Sequence, residues 1–234
     1  LPEVLPAELT VNAVGTIDEA GRSLRRFLDW LTDTHGVSEL SIVAHSMGGL
    51  FSRAALGQAA RDGSPFPVRH LVTLGSPWTG ALLGDHHVGD TPLSAAHGDP
   101  VTEQVMIASD AFATSASEGA AEEVTARFLA GPTGWNQAQA GVLDHTRVTL
   151  IAGTYFDAHT EPRSVWPHDG LVQRDSALAV DVSTEVAPHR TELEFADVHS
   201  IFVADQIGIE WQRALTWDPA VFAAVDDALG RSLT

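Results

Sequence analysis

Ala44-His45-Ser46-Met47-Gly48 is the stretch of this sequence that decides the fold. Residues 40–43 before it have the pattern of a short buried strand, and residues 49–56 after it have the pattern of a helix. A serine at a sharp strand-to-helix turn is held in a strained backbone conformation that exposes its Oγ. A chance turn of small residues is the alternative, but the flanking strand and helix argue against it. The stretch therefore predicts a nucleophilic Ser46, with the backbone N–H of Met47 as a donor to the oxyanion.

Two further stretches have the form of turns that follow strands. Residues 68–81 have the pattern of a strand followed by a Gly-Ser-Pro-x-x-Gly turn, and Asp169-Gly170-Leu171-Val172 has the form of an acid-bearing turn. Together with the Ala-His-Ser-Met-Gly-Gly stretch, they resemble the α/β-hydrolase superfamily, and within it the bacterial lipases and esterases. The resemblance runs from about Thr10 to the C-terminus, except between Leu83 and Thr146, where nothing matches. It implies hydrolysis of carboxylic esters through a Ser-His-Asp triad without a cofactor, and it favours secretion.

The alternation of strand-like and helix-like segments predicts an α/β fold, with a mostly parallel sheet flanked by helices. Thr16 and Glu19 form a capping-box pattern at the start of a long helix, and Gly36 ends that helix. A closing helix is expected after Asp218, which has the position of an N-cap. Strands are expected at residues 10–14, 40–43, 68–74, 147–153 and 191–195.

Residues 84–146 differ from the rest of the chain, because they are rich in Ala, Ser, Thr, Asp and Gly and have no clear strand pattern. An insertion after the strand that follows Ser46 lies above the carboxyl edge of the sheet, where this fold carries its active site. We therefore expect residues 1–83 and 147–234 to form the hydrolase core and residues 84–146 to form a helical cap. A helical extension packed to one side is the alternative. If the segment is a cap, we expect an acyl pocket lined by Trp78, Val105, Met106 and Phe112.

The acid and the base are expected downstream of Ser46, because the order along the chain in this fold is nucleophile, acid, base. His199 follows the last expected strand, so its imidazole can reach the edge of the sheet. Among the other histidines, His45 is expected to point to the strand side of the turn. Asp169 is the preferred acid because of its Asp-Gly-Leu-Val context, and it would accept the Nδ1–H of His199. The weaker candidates for the acid are Asp157, Asp175 and Asp181.

A second oxyanion donor is not recognisable upstream of Ser46. In this fold that donor comes from a loop after an early strand, whereas His35-Gly36 ends a helix and His97-Gly98 follows the nucleophile. The chain also opens on Leu1-Pro2, without Met. We therefore expect either that a segment with the first strands of the sheet is absent before Leu1, or that Met47 supplies the single oxyanion N–H.

The composition restricts the classes of partner. The chain of 234 residues has a formal net charge of −18, and its 13 basic residues are all arginine. Such a surface repels nucleic acid and anionic membranes, although host composition or solubility also explains the charge. The sequence has no cysteine, no apolar run of membrane-spanning length and no recognisable metal site. A small-molecule or lipid ester is the expected partner, and the oligomeric state is not indicated.

Three functions remain open from the sequence. The motifs favour a carboxylic ester hydrolase, either a lipase or an esterase. An acyltransferase, thioesterase or amidase would use the same Ser46, Asp169 and His199, because water exclusion and acceptor binding separate these activities. A non-catalytic binding protein of the same fold would explain the missing oxyanion loop, but the complete triad argues against it.

Overall fold

A four-stranded parallel sheet forms the centre of the molecule. The computed structural model describes residues 7–114, 119–131, 133–157 and 165–230, with the side chains of Glu8 and Phe112 excepted. The strands are β1 (Leu40–His45), β2 (Val68–Leu74), β3 (Arg147–Gly153) and β4 (Arg190–Phe195), in the spatial order β1-β2-β3-β4. All three neighbouring pairs are parallel, so the carboxyl ends of the strands meet at one edge. This arrangement confirms four of the five expected strands.

Helices pack on both sides of this sheet and continue between the strands. The described α-helices are α1 (Ile17–His35), α2 (Gly48–Arg61), α3 (Leu82–His87), α4 (Pro100–Thr114), α5 (Ala126–Ala130), α6 (Arg174–Ala177), α7 (Ile201–Ile207) and α8 (Pro219–Gly230). Short 3₁₀ turns lie at Ala7–Leu9, Leu93–Ala96, Glu122–Val124, Gln137–Gln139 and Trp211–Arg213. Among the described residues, no helix is both long and apolar enough to cross a bilayer.

The predicted ends of α1 are confirmed. Thr16 has an extended backbone conformation, and its side chain accepts the N–H of Glu19 at 3.4 Å. Gly36 ends the helix in the left-handed conformation with φ 62°, which glycine adopts without a steric penalty. At the other end of the chain, the Asp218 carboxylate accepts the N–H of Ala220 at 2.7 Å, which caps the start of α8.

The strand expected at residues 10–14 is wrong. This stretch forms a turn, in which the side-chain oxygen of Asn12 accepts the N–H of Val14 at 3.2 Å. The backbone oxygen of Asn12 accepts the N–H of Gly15, also at 3.2 Å. Asparagine favours such local hydrogen bonds over the ladder of a sheet, and this preference decides the conformation here.

The interior of the sheet lies at β2 and β3, whose central side chains are fully buried, as for Leu71, Leu150 and Ile151. In the described part of the chain, β1 pairs with β2 alone and forms one edge of the sheet. The side chain of Val43 on β1 is 47% exposed, so this edge is not covered by the described residues. The expectation that earlier strands belong beside β1 stays a prediction.

The segment between β2 and β3 is joined to helix α2 through a buried arginine. The guanidinium of Arg53 on α2 lies 4.2 Å from the ring centre of Trp78 and 4.7 Å from that of Trp135. It also donates to the side chain of Asn136 at 2.8 Å, and Asn136 in turn donates to the Trp78 carbonyl. Burial lowers the pKa of Arg53 to about 9, so the guanidinium is still protonated at pH 7. The faces of the two indole rings stabilise this cation. The helix that begins at Gly48 is thereby fixed to residues 135–136.

Candidate active site

Ser46 lies directly after β1 at the carboxyl edge of the sheet. Its φ of 55° is a left-handed conformation that a residue with a side chain rarely adopts. The backbone N–H of Ser46 donates to the Leu74 carbonyl of β2 at 2.9 Å, which ties the turn to the neighbouring strand. Helix α2 begins two residues later, with Met47 at its N-cap. The strand, the strained serine and the helix therefore form the arrangement that the sequence predicts.

The glycines after Ser46 allow α2 to approach the sheet. A Cβ atom on Gly48 would lie 3.5 Å from the Cβ of Ala44, which is an ordinary van der Waals distance. A Cβ atom on Gly49 would instead overlap the buried hydroxyl of Ser76. The requirement for no side chain is therefore strict at Gly49 and looser at Gly48.

His199 and Asp169 form a buried pair at the same edge of the sheet. The Nδ1 atom of His199 lies 2.8 Å from Oδ2 of Asp169, and the two side chains are 2% and 0% exposed. The second carboxylate oxygen, Oδ1, accepts the backbone N–H groups of Leu171 at 3.0 Å and Val172 at 2.8 Å. A carboxylate can only accept hydrogen bonds, so Nδ1 of His199 donates and Nε2 is left as the acceptor. An imidazole in this state can take a proton from a hydroxyl group.

The ends of two strands pack tightly against this pair. A Cβ atom on Gly75, after β2, would lie 2.9 Å from both Oδ2 of Asp169 and Nδ1 of His199. A Cβ atom on Gly153, at the end of β3, would lie 2.7 Å from the Cβ of Asp169. The backbone adds a further link, because the N–H of His199 donates to the Asp169 carbonyl at 2.8 Å. Asp157, the next candidate for the acid, is exposed.

His45 is not on the strand side of the turn, and the expectation for this residue is wrong. Its Nε2–H donates to the His199 carbonyl at 3.0 Å, and the two imidazole rings lie 4.6 Å apart. Burial and the neighbouring His199 lower the pKa of His45 to about 4, so its ring is neutral at pH 7. The sequence contained no signal for this contact, which joins residues far apart in the chain.

A cavity of about 480 Å³ opens beside Ser46, and its wall includes His45 and His199. Most of the remaining lining is apolar and comes from separate elements of the fold. It includes Leu83 of α3, Ala108 of α4, Leu171, and Phe202 and Val203 of α7. Phe202 is 79% exposed, which places it at the open side of the cavity. An apolar ligand with one reactive polar group fits such a space.

Three of the side chains expected to line the acyl pocket lie elsewhere. Trp78, Val105 and Met106 are at most 1% exposed and are not among the described residues that line the cavity. Trp78 packs on Arg53, and Val105 belongs to an apolar cluster with Phe156 and Val203. The side chain of Phe112 lies outside the described residues. On α4 it is the adjacent pair Ala108 and Ser109 that faces the cavity.

The described residues contain no cluster of three or more His, Asp or Glu side chains placed to share a metal ion. The backbone N–H of Met47 lies at the start of α2, where a helix terminus favours negative charge. The expectation that Met47 supplies the single oxyanion N–H stays a prediction.

Comparison with known proteins gives a consistent result for the fold. The family model described as alpha/beta hydrolase fold matches residues 17–138, which is more than half of the chain. No curated protein shows significant sequence similarity to the chain. Among solved structures, a lipase of Bacillus licheniformis in its mature form is similar, with a TM-score of 0.56 at 14% identity over 93% of this chain and 76% of the lipase. A gene product of Listeria innocua has a TM-score of 0.51 at 18% identity over 94% of this chain and 69% of its own. From the family match, with the parallel sheet and the strained serine after β1, the chain belongs to the alpha/beta hydrolase fold family.

Proposed function

We propose that this protein is a serine hydrolase that cleaves carboxylic esters. Ser46 is the nucleophile, His199 the general base, Asp169 the acid that orients the base, and Met47 an oxyanion donor. One observation carries the proposal: the strained Ser46 lines the same mainly apolar cavity as His199, whose Nδ1 is paired with the buried Asp169. Family membership supports hydrolase chemistry, and the structural similarity to a lipase supports the choice of an ester as substrate.

The arrangement supports a two-step reaction through an acyl-enzyme. The Oγ of Ser46 attacks the ester carbonyl while Nε2 of His199 takes the hydroxyl proton. The tetrahedral oxyanion accepts the N–H of Met47, and it collapses as the C–O bond to the alcohol breaks and His199 returns the proton to that alcohol. Water, deprotonated by the same imidazole, then attacks the acyl-enzyme and releases the acid with the serine restored. Asp169 keeps Nδ1 protonated, so Nε2 stays the reactive nitrogen through both steps.

The substrate in this proposal is a small-molecule or lipid ester with an apolar acyl group. The exposed wall of the cavity, which has a volume of about 480 Å³, is mainly apolar, and Leu83, Leu171 and Phe202 contribute to it. Two lining residues, Ala108 and Ser109, come from α4 and therefore from residues 84–146. Their position supports the interpretation of this segment as a cap over the site.

A fluorophosphonate probe tests the proposal directly, because it reacts covalently with an activated serine. We expect the wild-type protein to be labelled and to hydrolyse p-nitrophenyl esters. Ser46→Ala should abolish labelling and lower kcat on the order of a millionfold, because nucleophile and base act as a unit. Ser41→Ala is the matched control, since Ser41 is an exposed serine on the same strand.

The same assay separates the other functions. Undiminished labelling in Ser46→Ala would place the nucleophile elsewhere. Faster turnover of a thioester or anilide than of the matched ester would favour a thioesterase or amidase. Acyl transfer to an added alcohol in preference to water would favour an acyltransferase. A wild-type protein that is folded but neither labelled nor active would be a binding protein.

A further inference from the structure

His168 is a buried histidine for which the proposed reaction has no direct use. It precedes Asp169 in the chain and is 0% exposed. Its ring is stacked on Phe156, with the ring centres 4.6 Å apart and the planes 7° from parallel. Trp166 packs on the same ring at 4.6 Å and an angle of 42°. Two aromatic neighbours therefore fix the plane of this imidazole.

The hydrogen bond of the ring decides its protonation. The backbone N–H of Gly170 donates to Nδ1 of His168 at 3.0 Å, so Nδ1 is the acceptor and the proton of the neutral ring is on Nε2. Burial lowers the pKa of His168 to about 4. The nearby carboxylates of Asp169 and Asp99 act in the opposite direction, but their effect is smaller. At pH 7 the ring is therefore neutral, and its Nδ1 can accept the N–H of Gly170.

This contact completes the hydrogen bonding of the turn that carries Asp169. Three successive backbone N–H groups each have a defined acceptor: that of Gly170 donates to His168, and those of Leu171 and Val172 donate to Asp169. Gly170 has a φ of 108°, and a Cβ atom on it would lie 2.9 Å from Val203 of α7. The peptide at Gly170 is thus held between the imidazole and a neighbouring helix.

We infer that His168 is a positioning residue, whose Nδ1 acceptor holds the turn that aims the Asp169 carboxylate at His199. This inference rests on the proposed function, because its consequence is the orientation of the base. His168 touches neither the substrate nor the reacting atoms in this assignment. It acts through Asp169, by fixing the peptide that follows it.

Three substitutions separate the role of the acceptor from that of the buried volume. Asn places its side-chain oxygen near the position of Nδ1, Gln places its oxygen near that of Nε2, and Phe keeps an aromatic ring without an acceptor. We expect His168→Asn to retain kcat within about threefold, whereas His168→Gln and His168→Phe should lose about a hundredfold in kcat with little change in KM. In the two impaired variants the acid limb of the kcat/KM profile should move to lower pH, because a misplaced Asp169 stabilises the protonated base less.

Turnover of p-nitrophenyl butyrate from pH 4 to 9 and thermal unfolding of the same samples supply the readouts. Wild-type kcat and an unchanged pH profile in a folded His168→Phe would overturn the inference. Equal losses in the Asn and Gln variants would overturn it as well, because the acceptor position would not matter. If none of the three variants folds, the residue is structural and the inference is also wrong. Failure of the proposed function is a separate result, seen as wild-type protein without turnover or with turnover that survives Ser46→Ala.

Discussion

The turn at Ser46 and the turn at Asp169 face the same cavity but are held in place by different forces. At Ser46 the conformation is imposed by contiguous residues: a φ of 55°, a strand before it and a helix after it. At Asp169 it depends on hydrogen bonds of 2.8 to 3.0 Å, from His199, Leu171 and Val172 to the carboxylate. A lost acceptor should therefore damage the turn at Asp169 more than the turn at Ser46.

The largest effect that tests this comparison is expected from Asp169→Asn. An amide at this position offers one acceptor oxygen in place of two, so it cannot serve both the backbone N–H groups and Nδ1–H of His199. We expect kcat for p-nitrophenyl butyrate to fall about 10⁴-fold, since the base is then held in the wrong tautomer. Asp157→Asn, at an exposed position, is the control and should change kcat little. A larger loss in the control would assign the acid to Asp157.

The same difference explains how much of the site the sequence predicts. The turn at Ser46 follows from local sterics, because small residues, a strand pattern and a helix pattern are adjacent in the chain. Asp169 is distinguished from Asp157 only by its resemblance to a known turn, since an isolated aspartate in a loop usually caps a turn. The contacts of His45 and His168 depend on residues brought together by folding, and no spacing in the sequence encodes them.

The error in the predicted pocket has a physical cause as well. Large apolar side chains on α4, such as Val105 and Met106, fill the interior, where burial stabilises the fold. A cavity stays open where small residues face it, and Ala108 and Ser109 occupy that face. The apolar stripe of a helix therefore predicts the core better than it predicts a ligand site. The strand expected at residues 10–14 failed for a comparable reason, because one asparagine side chain outweighed the pattern.

A methyl group added beside the acid–base pair should have the next largest effect. In Gly75→Ala the new Cβ would lie 2.9 Å from Asp169 and His199, so one of them must move. We expect kcat to fall about a hundredfold, as for a displacement near 1 Å. Gly63→Ala is the control for backbone strain, because Gly63 also has positive φ (72°) but nothing within 4 Å of a Cβ. Gly48→Ala adds its methyl at an ordinary contact distance and should retain activity. Equal losses at Gly75 and Gly63 would mean that strain, rather than displacement of the pair, is responsible.

A smaller and more selective effect is expected from a substitution in the cavity that both turns help to line. Ala108→Phe places a ring in the cavity that Ser46 and Leu171 also line, so long acyl chains should be excluded before short ones. We expect kcat/KM to fall about tenfold or more for p-nitrophenyl octanoate and less than threefold for the acetate, about the selectivity that hydrophobic pockets give. Ile107→Phe, at the adjacent and 56% exposed position, is the control. A uniform loss for both esters would show that Ala108 does not line the acyl site.

The smallest effect concerns stability and distinguishes two buried acids near His199. Asp169 receives hydrogen bonds from N–H groups, whereas the carboxyl of Asp197 shares a hydrogen bond with that of Asp218. Burial, followed by Asp218, raises the pKa of Asp197 from its ordinary 3.8 to about 7. Between these two pH values the folded state binds more protons than the unfolded chain, so stability falls as pH rises through this window.

Asp197→Asn removes this contribution, and its Tm should exceed that of the wild type increasingly from pH 4 to 7 and by a constant margin above pH 7. Burial raises the pKa of Asp85 to about 6, and this group contributes the same pH dependence of stability in the wild type and in Asp197→Asn. Tm curves that run parallel across this range would show that Asp197 titrates as an ordinary carboxyl.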